Sequence, residues 1–124
     1  MAADRDFIEL IEQIAGWTGP VTNSLSSQDD ETKPTALPFT LVERSETEWL
    51  SSLCGTEQDV CFCTVVVTFV ARKLAQARRM ADAARPSLAA AADALESEGS
   101  NYDAGLRGHY VQQQYRVFDR SPNV

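Results

Sequence analysis

Residues 60–71 read Val-Cys-Phe-Cys-Thr-Val-Val-Val-Thr-Phe-Val-Ala, a run with no charge and no breaker, and no other part of the chain constrains the fold as strongly. β-Branched and aromatic side chains dominate it, which specifies a strand. Cys61, Cys63, Val65, Val67 and Phe69 fall on one face, and Phe62, Thr64, Val66, Thr68 and Val70 on the other. Because both faces are largely apolar, the strand is either central and covered on two sides or keeps one face for a partner. The run is far too short for a helix that crosses a bilayer, which needs about 20 apolar residues.

Directly after Arg72 the pattern changes period. Leu74, Ala77, Ala81, Ala84, Leu88, Ala91 and Leu95 keep spacings of three and four, so Lys73–Glu96 is predicted as one long alanine-rich helix. Its small face suits close packing on a sheet, and Pro86 predicts a kink at Arg85 or a restart with Pro86 in the first turn. Upstream, Phe7, Leu10, Ile11 and Ile14 recur at helical spacing after the caps Asp4 or Asp6, with Gly16 available to end the helix. Gly19–Pro38 is polar and loop-like, with a brief edge strand near Val21–Leu25. Residues 37–46 form the first sure strand, with Pro38 at its start, and Glu46–Asp59 a long hairpin connection. Glu98–Gly105 reads as a loop. His109–Phe118 returns to strand, with Val111, Tyr115 and Val117 opposite Gln112, Gln114 and Arg116. The expected fold is α+β, one mainly antiparallel sheet of three to four strands with helices packed on one face, in a single domain over 1–124 with a loose tail at 119–124.

Charge is unevenly placed. Residues 1–60 carry twelve acidic and three basic side chains, about −9, and residues 61–124 carry six acidic and eight basic, about +2, for a net −7. An acidic balance argues against wrapping DNA, which draws on clustered Lys and Arg. The asymmetry suits identical subunits that meet head to tail through unlike patches, as well as a merely solvated surface. Arg72, Lys73, Arg78, Arg79 and Arg85 form the one basic concentration. It lacks the interleaved aromatics of a nucleic-acid site and reads as a solvated helix face or a contact for an acidic neighbouring subunit. Asp4, Asp6, Glu9 and Glu12 interrupt the only early apolar segment, so no signal peptide is expected and synthesis is placed in the cytoplasm.

Catalytic chemistry finds little support. Cys54, Cys61 and Cys63 make no C-x-x-C pair and have no nearby histidine, so they read as buried thiols rather than a zinc site. The single histidine, His109, opens a strand with no partner for general-base work. Ser51, Ser52 and Cys54 sit in no nucleophile elbow. Glu43, Glu46 and Glu48 leave a strand rather than a glycine-containing calcium loop. No phosphate-binding glycine motif follows a strand, and Gly105 and Gly108 mark only a turn. No enzyme activity, cofactor or metal is expected.

The order of elements, with Pro34-Thr-Ala-Leu-Pro-Phe-Thr-Leu-Val-Glu-Arg as strand entry and Val65-Val-Val-Thr-Phe-Val-Ala-Arg-Lys-Leu-Ala-Gln-Ala-Arg as a strand running straight into an alanine-rich helix, resembles the tail-completion or tail-terminator proteins of tailed bacteriophages. The resemblance spans about residues 5–119; the acidic 28–31 loop and Pro86 depart from it. It implies a structural virion protein at the tail–neck junction: a homohexameric ring that caps the tail tube, meets a neck or head-closure protein, and lets DNA pass its lumen without specific binding. No membrane is implied. On that basis Arg72, Arg78, Arg79 and Arg85 are expected at the subunit interface. Asp29, Asp30, Glu31, Glu46, Glu48, Glu57 and Asp59 are expected at the lumen or its rim, where acidic residues repel phosphate. The alternatives are another ring-forming neck component, such as a head-closure or connector adaptor, and a cytosolic dimeric α+β binding domain.

Overall fold

The strand at residues 60–71 organises everything around it. In the computed structural model, which describes residues 3–22, 37–49, 60–105 and 107–120, the chain runs α1 (Ala3–Glu12), β1 (Val21–Thr22), β2 (Phe39–Trp49), β3 (Val60–Ala71), α2 (Leu74–Ala91), β4 (Ala94–Asp103) and β5 (Gly108–Arg120). The strands form one sheet in the order β1-β2-β3-β5-β4. All pairings are antiparallel except β1 with β2, so β3 is central and the sheet is mixed. The fold is α+β, with both helices packed against the sheet on one face.

That covered face is the core. Cys63, Val65, Val67, Phe69 and Ala71 of β3 lie beneath Phe7 and Ile11 of α1 and Ala77, Met80, Ala81, Ala84 and Leu88 of α2. Alanines at the crossing remove bulk and let α2 approach the strands closely, as its spacing predicts. Two edge-on aromatic pairs tie helix to sheet, Phe7 with Tyr115 at 5.4 Å and Trp17 with Phe69 at 5.9 Å. After α1, Gly16 and Gly19 adopt positive φ. A Cβ on Gly19 would collide with the Pro38 carbonyl, so glycine is needed where the turn passes β2.

Several expectations need correction. The sheet has five strands rather than three to four. The helix read as Lys73–Glu96 stops at Ala91, and the segment read partly as its end and partly as a loop, 94–103, is strand β4. Two backbone bonds mark the switch: Ala92 N still donates to Leu88 O at 2.9 Å, whereas Asp93 N donates to Arg116 O of β5 at 2.9 Å. Pairing with β5 thus overrides the local helical propensity of the alanine run. Neither does Pro86 restart the helix, which is one element of 18 residues. Pro86 is exposed, and so is Asp82, whose carbonyl loses its usual partner and can turn to water. The strand read as 37–46 spans Phe39–Trp49. The last strand takes in Asp119 and Arg120, which pair with Cys61 and Val60, so the tail begins later than 119.

Two register shifts decide which residues share a face. One lies in β2 between Arg44 and Glu46, the other in β4 between Leu95 and Ser97. In the first, Glu43 pairs with Val66, and past the extra residue Glu46 pairs with Thr64 and Glu48 with Phe62. The bulge therefore keeps the register positions of Glu46 and Glu48 in line with Glu43, on the face without helices.

Candidate functional site

The covered side offers a polar bridge between α2 and the sheet that no sequence motif announces. Arg85 forks onto Glu98 of β4, with Nη2 at 2.7 Å from Oε2 and 2.8 Å from Oε1, and its Nη1 reaches Asp82 at 2.9 Å. Gln113 of β5, fully buried, donates through Nε2 to the same Glu98 carboxylate at 2.7 Å and, more weakly, to the Ala81 carbonyl at 3.4 Å. Tyr115 donates its hydroxyl to Gln113 Oε1. The hydrogen bond that Arg85 donates to Glu98 is the main cause that raises the Arg85 pKa above its ordinary value. Burial, the largest cause, pushes the Tyr115 phenol up to about 12, with the Arg85 charge opposing it. Every polar group of the chain of contacts finds a partner, so the arrangement is a clamp that fixes the angle of α2 on β4 and β5.

Of the four arginines expected at a subunit interface, the structure separates one from the rest. Arg72, Arg78 and Arg79 are exposed and enter no ion pair among the described residues, whereas Arg85 is half-buried and committed within the chain. Arg72 stands at the entry to α2, Arg78 on its flank toward β4 and Arg79 on its flank toward α1. Arg79 also lines a groove of about 300 Å³ between the end of α1 and the first half of α2. Of the acidic residues expected at a lumen or rim, Asp29, Asp30, Glu31, Glu57 and Asp59 lie outside the described residues, as do Ser51, Ser52 and Cys54. Glu46 and Glu48 fall, by register, on the helix-free face in line with exposed Glu43.

On that helix-free face the apolar surface is concentrated at one end. Phe39, Leu41 and Val70 are buried there, with Leu37 and Tyr110 packed against them, and Gln112 donates to Thr68 at 3.3 Å. Toward the other end the same rows carry Glu43, Gln114 and Arg116. The sheet also ends abruptly. β4 is an edge strand of 10 residues in which every residue except Asp103 is exposed, including Leu95 at 37% and Tyr102 at 52%.

Groups suited to chemistry are dispersed. His109 is half-buried, pairs with Ala71 in register and packs edge-on against Tyr102 at 5.0 Å. Cys63 is a buried thiol. Among the described residues no three His, Cys, Asp or Glu side chains come together as a metal site, and no helix is long and apolar enough to cross a membrane. No motif singles out Glu98 and Gln113, the joints of the clamp; the signal for Gln113 is its place in the Val111, Tyr115, Val117 alternation. What stands out is a set of unlike surfaces: three arginines of α2 and its entry with no ion pair among the described residues, a line of glutamate positions on β2, and an exposed edge at β4. Compared with models of protein families the chain matches none, and no curated protein matches it.

Proposed function

We propose that this chain is a structural virion protein of the tail-terminator type, whose copies join head to tail into a homohexameric ring at the tail–neck junction. The observation that carries the proposal is the pairing of a recognisable element order with arginines that enter no ion pair among the described residues and acidic residues placed elsewhere, on β2 and β4. β3 passes into α2 through Arg72 and Lys73 alone, which is the strand-to-helix junction of the resembled family. Arg72, Arg78 and Arg79 then stand out from that helix and its entry, while acidic residues occupy β2 and β4. Identical subunits with unlike patches meet by heterologous contacts, which form a ring where the rotation between copies closes. The acidic row Glu43, Glu46 and Glu48 is a surface from which duplex DNA is repelled, as a passage for DNA requires. In this reading the ring caps the tail tube, meets a neck or head-closure protein and binds no cofactor.

The same surfaces serve a connector or adaptor ring of the neck, so the partner on each face separates those two readings. A dimeric binding domain is favoured by a different observation, the partly buried Thr64 and Val66 at the centre of the helix-free face. Native mass spectrometry of the purified chain over a concentration series, with negative-stain images, tests the proposal. Rings of six copies are expected. A stable dimer that gains no further copies would overturn it in favour of the binding domain.

A further inference from the structure

Two dissimilar features sit toward opposite edges of the sheet. The first is the groove between α1 and α2, which lies on the β2–β3 side because α1 packs on β1, β2 and β3. Ile14, Met80 and Ala83 give it apolar surface, Gln76 a polar one, and Arg79 an exposed cation with no ion pair among the described residues. The segment from Ala15 to Thr18 completes the wall, and the Trp17 indole Nε1 is shielded from solvent with no hydrogen-bond partner among the described residues.

The second feature is the start of β4, at the far edge of the sheet. Leu95 pairs with Tyr115 in register, which places it on the helix side of the sheet, and it is 37% exposed. Glu96 follows in the bulge, exposed and without an ion pair among the described residues. An apolar side chain and a carboxylate are thus adjacent on an unpaired edge, and the groove offers apolar surface beside a cation.

We propose that Leu95 and Glu96 of one copy dock into the α1–α2 groove of the next, Leu95 against Ile14 and Met80 and Glu96 against Arg79. The occupant is a second copy of this chain, and the inference rests on the ring reading above. Charge complementarity chooses that occupant: neither the groove's cation nor the edge's carboxylate has an ion pair among the described residues. Groove and edge lie toward opposite edges of the sheet, so copies joined head to tail leave one groove and one edge unused until a ring closes.

Sedimentation velocity of the full chain over a concentration series tests the contact. Arg79→Glu and Leu95→Glu are each expected to weaken self-association about tenfold or more, with the circular dichroism spectrum unchanged because both positions are exposed. Arg79→Glu combined with Glu96→Arg in one chain is expected to restore association to within about threefold of the parent, by exchange of the two charges. Parent-like association of both single variants would overturn the contact while leaving rings to form by another surface. A double variant no better than Arg79→Glu would also overturn it. If the parent stays monomeric at every concentration, the contact is refuted as a driver of assembly, and the ring reading then requires the tail end as template. Two-fold dimers that survive every substitution would refute both.

Discussion

β3 and β4 lie in the same sheet with only β5 between them, yet they are held in place by different physics. β3 is paired along both edges, and from Val65 to Ala71 its helix-side residues are fully buried beneath α1 and α2. β4 is paired along one edge, and nine of its ten residues are exposed. The first is fixed by burial of apolar area, worth about 25 cal/mol per Å². The second is fixed by its ladder to β5 and by one polar clamp through Glu98. Burial makes the helix-side residues of β3 intolerant of change, whereas exposure leaves β4 tolerant of change.

Substitutions that exchange these properties test the contrast. Val67→Asp places a carboxylate in a site with no exposure, opposite Val42 and Gln113, and is expected to cost about 4 kcal/mol or more, enough to unfold the chain. Ser100→Asp, the same charge placed on β4, should change stability by no more than about 0.5 kcal/mol. Urea midpoints measure both, and equal losses would break the distinction.

A smaller effect concerns the clamp in alkali. Burial raises the Tyr115 phenol to about 12 from an ordinary value of 10.0. Below pH 10 the phenol is neutral in both folded and unfolded chains, and the full stabilisation is present. Between about pH 10 and 12 the unfolded chain loses the proton first, so stability falls, by roughly 2–3 kcal/mol in all. Denaturation at stepped pH should show this decline, with Tyr115→Phe lacking its tyrosine-specific part. Identical pH dependence of the two proteins would mean that the phenol is not held neutral by the fold.

Glu98→Ala is expected to cost about 1–2 kcal/mol. Its loss leaves the buried Gln113 amide nitrogen with only its 3.4 Å bond to Ala81, whereas Arg85 keeps Asp82 and turns to water. Glu98→Gln, which retains an acceptor, should cost less, and thermal unfolding of the two variants distinguishes a hydrogen-bond clamp from a purely ionic one. Smallest of all, Gly99→Ala should stabilise by about 0.5 kcal/mol, since an added Cβ meets nothing within 4 Å and the unfolded chain loses freedom. A loss of more than about 1 kcal/mol would show β4 to be more tightly constrained than its exposure indicates.

The same contrast explains which parts of the molecule are legible in its sequence. β3 can be read residue by residue because burial imposes its period, and its bounds match the structure. The buried stripe of α2 is legible for the same reason, from Ala77 to Leu88. Its end is not. Ala89–Ala92 carries no stop signal, and the switch into β4 is made by a carbonyl of β5 contributed from across the sheet. β4 itself, Ala-Leu-Glu-Ser-Glu-Gly-Ser-Asn-Tyr-Asp, buries almost nothing on either face and so displays no alternation. The clamp is hidden because the partners of Arg85 beyond its own helix turn lie on strands whose register decides the meeting. In sequence Arg85 resembles Arg78 and Arg79; in space only Arg85 meets Glu98. The acidic row on β2 is visible as composition, but its alignment depends on the bulge after Arg44, which no local signal marks.

Hydrogen exchange followed by mass spectrometry on dilute and concentrated protein tests most directly whether the bare edge and the α1–α2 groove are where copies meet. Peptides covering residues 94–103 and those covering 14–18 and 76–83 are expected to exchange more slowly in the concentrated, assembled protein, while 60–71 is protected equally in both. Assembly without any change at 94–103 would contradict that contact.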